Sequence, residues 1–232
     1  MRVLVGLLVC AASLAQDPIE EGNRAFSERR YHDAVRHYLE AQEQGGSDPD
    51  LLFHLGNAYA ETGDVGRAVL SYERARLLAP RDGGIRDALD GLRRRSGLES
   101  DLGGGWRDFH RHLTVEEWTW LVVAAAGLLF AALLGRRRLG RAALARFVVA
   151  AVLVALPAAI AIVKHALERD RAIVVTTTEL RISPYAAAEA LATVRAGQVV
   201  LAASSFEDFV RVRRPRAEAG WIERSAVERV VP

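Results

Sequence analysis

Two long uncharged apolar runs in the middle of the chain, Trp118–Gly135 and Phe147–Val163, limit its fold more than any other feature. A helix needs about 17–25 such residues to cross a bilayer. Lipid gives the backbone no hydrogen-bond partners, so both runs are read as helices. Between them lie Arg136, Arg137, Arg138, Arg141 and Arg146. Short arginine-rich loops stay on the cytoplasmic side. The expectation is a two-helix hairpin with its turn in the cytoplasm and both flanking segments outside. Trp118 and Trp120 open the first run, where amphipathic rings favour the interface, and Pro157 predicts a kink in the second. The small residues Ala124, Ala125, Ala126 and Gly127 can pack closely on Ala150, Ala151 and Ala155 within the hairpin.

The N-terminus points the same way. Arg2 precedes the short apolar stretch Val3–Leu14, and Ser13-Leu14-Ala15 is a small-x-small cleavage signal. Removal of residues 1–15 as a signal peptide places Gln16 onward outside and takes away Cys10, the single cysteine. Leu8-Val9 lacks the small residue that a lipoprotein acceptor cysteine needs before it. Disulfide and thiol chemistry are then excluded. The net charge of +2 over 232 residues shows no bias toward nucleic acid.

Residues 19–80, within a module that runs from 16 to 95, carry an internal repeat with an offset of 34. Gly22-Asn23 returns as Gly56-Asn57, Ala34 as Ala68, Tyr38 as Tyr72 and Ala41 as Ala75. The second copy is the fuller, with Leu52, Leu55-Gly56, Tyr59, Gly63-Asp64, Ala68, Tyr72, Ala75 and Pro80. Small residues let two helices approach, the tyrosines fill the space between helix pairs, and Gly63-Asp64 makes the turn. In the first copy Glu21 stands where Leu55 does, and Arg29-Arg30 replaces Gly-Asp. Ile85–Arg95 reads as a terminal helix over the open face of the second copy. This pattern resembles the tetratricopeptide repeat. The resemblance implies that the first helix of each copy lines a groove for a partner segment, with Asn23, Phe26, Phe53, Asn57 and Glu61 facing it. The alternative is that they only pack or meet solvent. Repeats that capture a C-terminal carboxylate carry lysine near the groove asparagine; here the positions hold Ile19 and Phe53. Two copies and a cap are fewer than such an array normally needs, so self-association or a partner is expected to support it.

Residues 96–117 form a linker, with Gly103-Gly104-Gly105 for flexibility and Trp106 and Phe109 at the membrane surface. His110 and His112 lack a third ligand, so no metal is expected. Residues 164–171 form a second linker. From residue 172 to 232 the pattern turns to short strands: Ala172–Thr177, Val199–Ala203, Phe209–Val212, Trp221-Ile222 and Val227–Val231. Ser183-Pro184, Ala196-Gly197, Phe206-Glu207-Asp208 and Ala219-Gly220 separate them. Together with Leu180-Arg181-Ile182, this order of landmarks resembles a bacterial SH3 domain, a small all-β barrel. The resemblance implies a ligand surface near Phe209 and Trp221, with Trp221 also able to serve in the core. Arg211, Arg213, Arg214 and Arg216 suit an anionic partner or the solvated face of an edge strand.

No catalytic constellation is present: no G-x-S-x-G, no P-loop and no H-E-x-x-H. His32 and His37 are spaced poorly for one helix face, and His54 reads as a helix-surface residue. An enzyme is not expected, and no cofactor. The whole layout is an all-α repeat module, a two-helix transmembrane hairpin (118–135, loop 136–146, 147–163) and an all-β SH3-like domain. It resembles the tetratricopeptide/SH3 membrane proteins of the Bacteroides aerotolerance (Bat) operon, of the BatE type. That resemblance implies a scaffold in a bacterial inner membrane, working with von Willebrand factor A-type membrane proteins and a MoxR-type ATPase. The alternative is an envelope sensor or anchor that binds peptidoglycan through the SH3-like domain.

Overall fold

A computed structural model describes residues 17–98, 113–135, 140–167, 170–214 and 219–231. The leader with Cys10, the linker residues Gly103–Gly105, Trp106, Phe109, His110 and His112, the arginines Arg136–Arg138, and Arg216 lie outside the described residues.

The first part is five helices: α1 (Pro18–Ser27), α2 (Tyr31–Gly45), α3 (Pro49–Thr62), α4 (Val65–Leu78) and α5 (Gly83–Arg95). Aspartates start four of them. Asp17, Asp48, Asp64 and Asp82 each accept a hydrogen bond from a first-turn backbone N–H, which satisfies donors that a helix leaves unpaired. The 34-residue offset is reproduced contact for contact. Tyr38 Oη donates to Asn23 Oδ1 at 2.8 Å, and Tyr72 Oη donates to Asn57 Oδ1 at 2.7 Å. Each tyrosine ring lies over the glycine of the preceding helix, and a Cβ at Gly56 would sit 2.7 Å from Tyr72.

The turn between paired helices is also repeated. Arg29 takes φ 61° where Gly63 takes φ 83°, and Arg30 N–H reaches back to Ala25 O as Asp64 N–H does to Tyr59 O. The arginine pair therefore makes the same left-handed turn as Gly-Asp, at a cost glycine avoids. Arg29→Gly is expected to raise the stability of the soluble body by about 1 kcal/mol, read as a higher denaturant midpoint with unchanged slope.

Two further helices, α6 (Val115–Leu134) and α7 (Arg141–Leu167), are long and apolar enough to cross a membrane over Glu116–Leu134 and Ala145–Val163. They run antiparallel: Trp118, near the start of α6, packs on Ala158 and Ala161, near the end of α7. Ala125, Ala132 and Ala151 are also buried, while a Cβ at Gly127 would meet open space. Only part of the expected small-residue seam is thus used. Trp118 is 8% exposed inside the hairpin, whereas Trp120 faces outward. Trp118 packs on Ala158 and Ala161, and the ring of Trp120 stays exposed on α6. Pro157 lies within α7.

The last part is an antiparallel sheet of seven strands: β1 (Arg171–Val174), β2 (Thr178–Arg181), β3 (Ala190–Val194), β4 (Val199–Phe206), β5 (Phe209–Arg213), β6 (Ala219–Glu223) and β7 (Val227–Arg229). Their order is β3-β2-β6-β5-β4-β1-β7. The expected closed barrel is an open sheet in its hydrogen bonding. It nevertheless curls: Val194 of β3 shares one core with Ala172 and Val174 of β1, together with Leu180, Val200, Val212 and Ile222. β3 was not expected as a strand, since its alanines carry little β preference. β5 lies between β4 and β6 and is not an edge strand, so Arg211 and Arg213 stay exposed because they alternate with the inward Val212.

The helices and the sheet share a second core. Val69, Leu70, Leu89, Leu92 and Leu98 pack with Ile173 of β1 and Val230. Gly66 of α4 comes so close to β1 that a Cβ there would fall on the Val175 carbonyl. The chain's own C-terminal sheet thus covers part of the helical module. For the two parts to touch, both must lie on one side of the hairpin, as its antiparallel helices allow.

Candidate functional site

Four features of the soluble body compete as sites. The first is the residue set proposed for a partner groove. Asn23 is exposed and Asn57 half-buried, and each already accepts the hydroxyl of a repeat tyrosine. Phe53 is half-buried, with its ring 5.9 Å from that of Tyr72. Phe26 packs edge-on to Tyr31 at 5.2 Å. These four side chains hold the helix pairs together, whatever else they meet. Burial pushes the Tyr38 hydroxyl up and takes Tyr72 to about 12, so both remain neutral donors to their asparagines. Glu61 differs. It is exposed and lines a 400 Å³ hollow with Arg29, Arg30, Tyr31, His32, Asp33 and Thr62. His54 stacks on Tyr38 at 5.8 Å instead of lying free on the surface.

The second feature is a larger cleft of 870 Å³. Its apolar lining includes Val35, Leu39, Leu55 and Tyr59, and Arg74 and Glu228 stand at its sheet side. None of the five proposed groove residues lines it. Its lining comes from α2, α3, α4 and the turn that joins α3 to α4, with Glu228 of β7 as its one sheet residue. Arg74 donates to the carbonyls of Arg229 and Val230, occupying polar groups at the edge of the sheet.

The third is the outer face of the sheet. Trp221 lies opposite Arg211 in the β5–β6 register and is half-buried. Its neighbour Ile222 fills the core. Trp221 is therefore outside the sheet's core. Phe209, two residues from Arg211, shares that outer face but is buried. Gly220 admits β6 close to β2, where a Cβ would lie 2.7 Å from Leu180. Sequence reasoning missed an exposed apolar patch of Ile182, Tyr185 and Phe206, in which the two rings meet edge-on at 6.2 Å. The Ser183-Pro184 turn and the Phe206-Glu207-Asp208 turn carry it, and aromatics at two turn tips were the available signal.

The fourth is a charged cluster at the junction. Glu73 of α4 is 1% exposed. It accepts from Arg76 on its own helix and from Arg93 of α5 at 2.7 Å, and Arg171 of β1 stands 3.7 Å away. Burial alone would raise the carboxyl's pKa. The charges of Arg76, Arg171 and Arg93 outweigh that and hold it well below the usual carboxylate range. The ionised carboxylate joins α4, α5 and β1 through their arginines. Sequence reasoning missed it because only the fold brings residues 73, 93 and 171 together.

Among the described residues, no group of three or more His, Cys, Asp or Glu side chains could hold a metal ion. No protein-family model matches the chain, and no curated protein matches it.

Proposed function

We propose that this chain is a non-enzymatic scaffold of a bacterial inner membrane, with tetratricopeptide repeats that bind a partner protein and an SH3-like domain, both extracytoplasmic. The observation that carries the repeat reading is the duplicated Gly–Tyr–Asn contact set at an offset of 34, with its duplicated left-handed turn. The order of the elements supports a BatE-type role beside von Willebrand factor A-type membrane proteins and a MoxR-type ATPase. The leader and the arginine-rich turn support the extracytoplasmic side.

The test is crosslinking in intact cells. Phe53→Ala or Asn57→Ala would disturb folding as well as any partner, because both residues pack on Tyr72. Glu61→Arg is the cleaner probe, since Glu61 is exposed. Loss of a crosslinked von Willebrand factor A-type protein in Glu61→Arg, at unchanged protein level, is the expected result. An unchanged partner set would sink the groove assignment. The exposed Tyr185–Phe206 pair favours a second reading, an anchor that holds peptidoglycan through the sheet. Tyr185→Ala/Phe206→Ala would then abolish co-sedimentation of the full chain with cell wall.

A further inference from the structure

Four large apolar side chains of α1–α5 are exposed: Ile19, Leu39, Leu77 and Leu78. Only Leu77 and Leu78 are adjacent, 38% and 50% exposed at the end of α4. The next corner of the chain is tied to the hairpin. Arg81 Nη2 donates to Glu117 Oε1 at 2.9 Å. Glu117 is itself fixed in the first turn of α6, where it closes a capping box with Thr114. It immediately precedes Trp118, the first residue of the uncharged run.

These facts place the leucine pair by distance. Consecutive Cα atoms are about 3.8 Å apart, so Leu78 lies within about 11 Å of Arg81. Headgroups and interface occupy roughly 5–7 Å on each side of the hydrocarbon core. The ion pair thus ties an exposed apolar corner to the end of α6 at which a membrane would begin. A single exposed leucine needs no explanation, but an adjacent pair beside an arginine at that height has the chemistry of an interfacial contact. Arg81 remains largely exposed beyond its bond to Glu117, which leaves guanidinium donors for phosphate oxygens.

We propose that Leu77, Leu78 and Arg81 form a lipid-contacting corner that seats the soluble body on the surface of the same bilayer that α6 and α7 cross. The inference rests on the reading of those helices as spans. The leucines enter the boundary between headgroups and acyl chains, and the Arg81–Glu117 pair sets the tilt. The body is then held in one orientation at the membrane and does not swing on its linkers.

The test uses the full chain carrying Cys10→Ser, in vesicles of phosphatidylethanolamine and phosphatidylglycerol. An environment-sensitive fluorophore is attached in turn at Leu78→Cys, at Leu128→Cys on the outer face of α6, and at Ser205→Cys on the sheet. Lipids with nitroxide near the headgroup or at mid-chain are the quenchers. Mid-chain quenching at position 128 and several-fold stronger shallow quenching at 78 than at 205 are expected. Glu117→Arg, which breaks the ion pair and leaves Arg81 in place, should reduce the signal at 78. Quenching at 128 with none at 78 beyond the level at 205 overturns the seat and leaves the spans intact. No quenching at 128 overturns the span reading and the seat with it. A probe at 78 shielded from both lipid and aqueous quenchers overturns the lipid assignment in favour of a second protein copy.

Discussion

Glu73→Ala is expected to cost about 3–5 kcal/mol, because it leaves buried guanidinium groups without their shared anion. Three elements lose a common partner at once: α4, α5 and β1. Glu73→Gln tests the charge separately from the shape and should recover only part of the loss. Equilibrium denaturation in detergent or nanodiscs measures both, and a loss below 1 kcal/mol for the alanine variant would remove Glu73 from the centre of the junction. The same group gives a pH dependence. Its pKa is lower in the folded protein than its ordinary 4.5, so its contribution is complete above that value. As pH falls below it, the unfolded chain takes up a proton that the folded carboxylate refuses, and stability declines toward the folded pKa. Glu73→Gln should flatten that acid limb.

Ile173→Ala is expected to cost about 2–5 kcal/mol, the range for removing a buried aliphatic side chain. Its diagnostic value lies in where the effect is felt. Ile173 belongs to β1, yet it packs with Val69, Leu70, Leu89 and Leu92 of the helices. Hydrogen exchange should therefore quicken in α4 and α5 as well as in the sheet. Faster exchange confined to the sheet would mean that the two parts unfold independently.

The sequence disclosed the elements better than their relations. The 34-residue offset located the helix pairs, since Gly, Tyr and Asn recur where two helices must meet. Hydropathy located α6 and α7. The strand β3 was not legible, as Ala190, Leu191 and Ala192 have no alternation and little β preference. The groove set was legible by position only. Asn23 and Asn57 look like free ligands along one helix and turn out to hold tyrosines fifteen residues away. Nothing local marks Gly66 as a docking point, because the Val175 carbonyl that meets it comes from the sheet, and the cluster around Glu73 is completed only by Arg93 of α5 and Arg171 of β1. Long-range packing of this kind leaves no periodic trace in a single chain.

The shared core has a consequence for how the protein is made. The hairpin interrupts one folding unit, with helices synthesised before it and the sheet after it. Synthesis runs from the N-terminus, so α4 emerges before its partner β1 exists. Val69, Leu70 and Glu73 then wait for strands that are made only after α6 and α7. The helical part therefore cannot reach its final packing until the last third of the chain has been made.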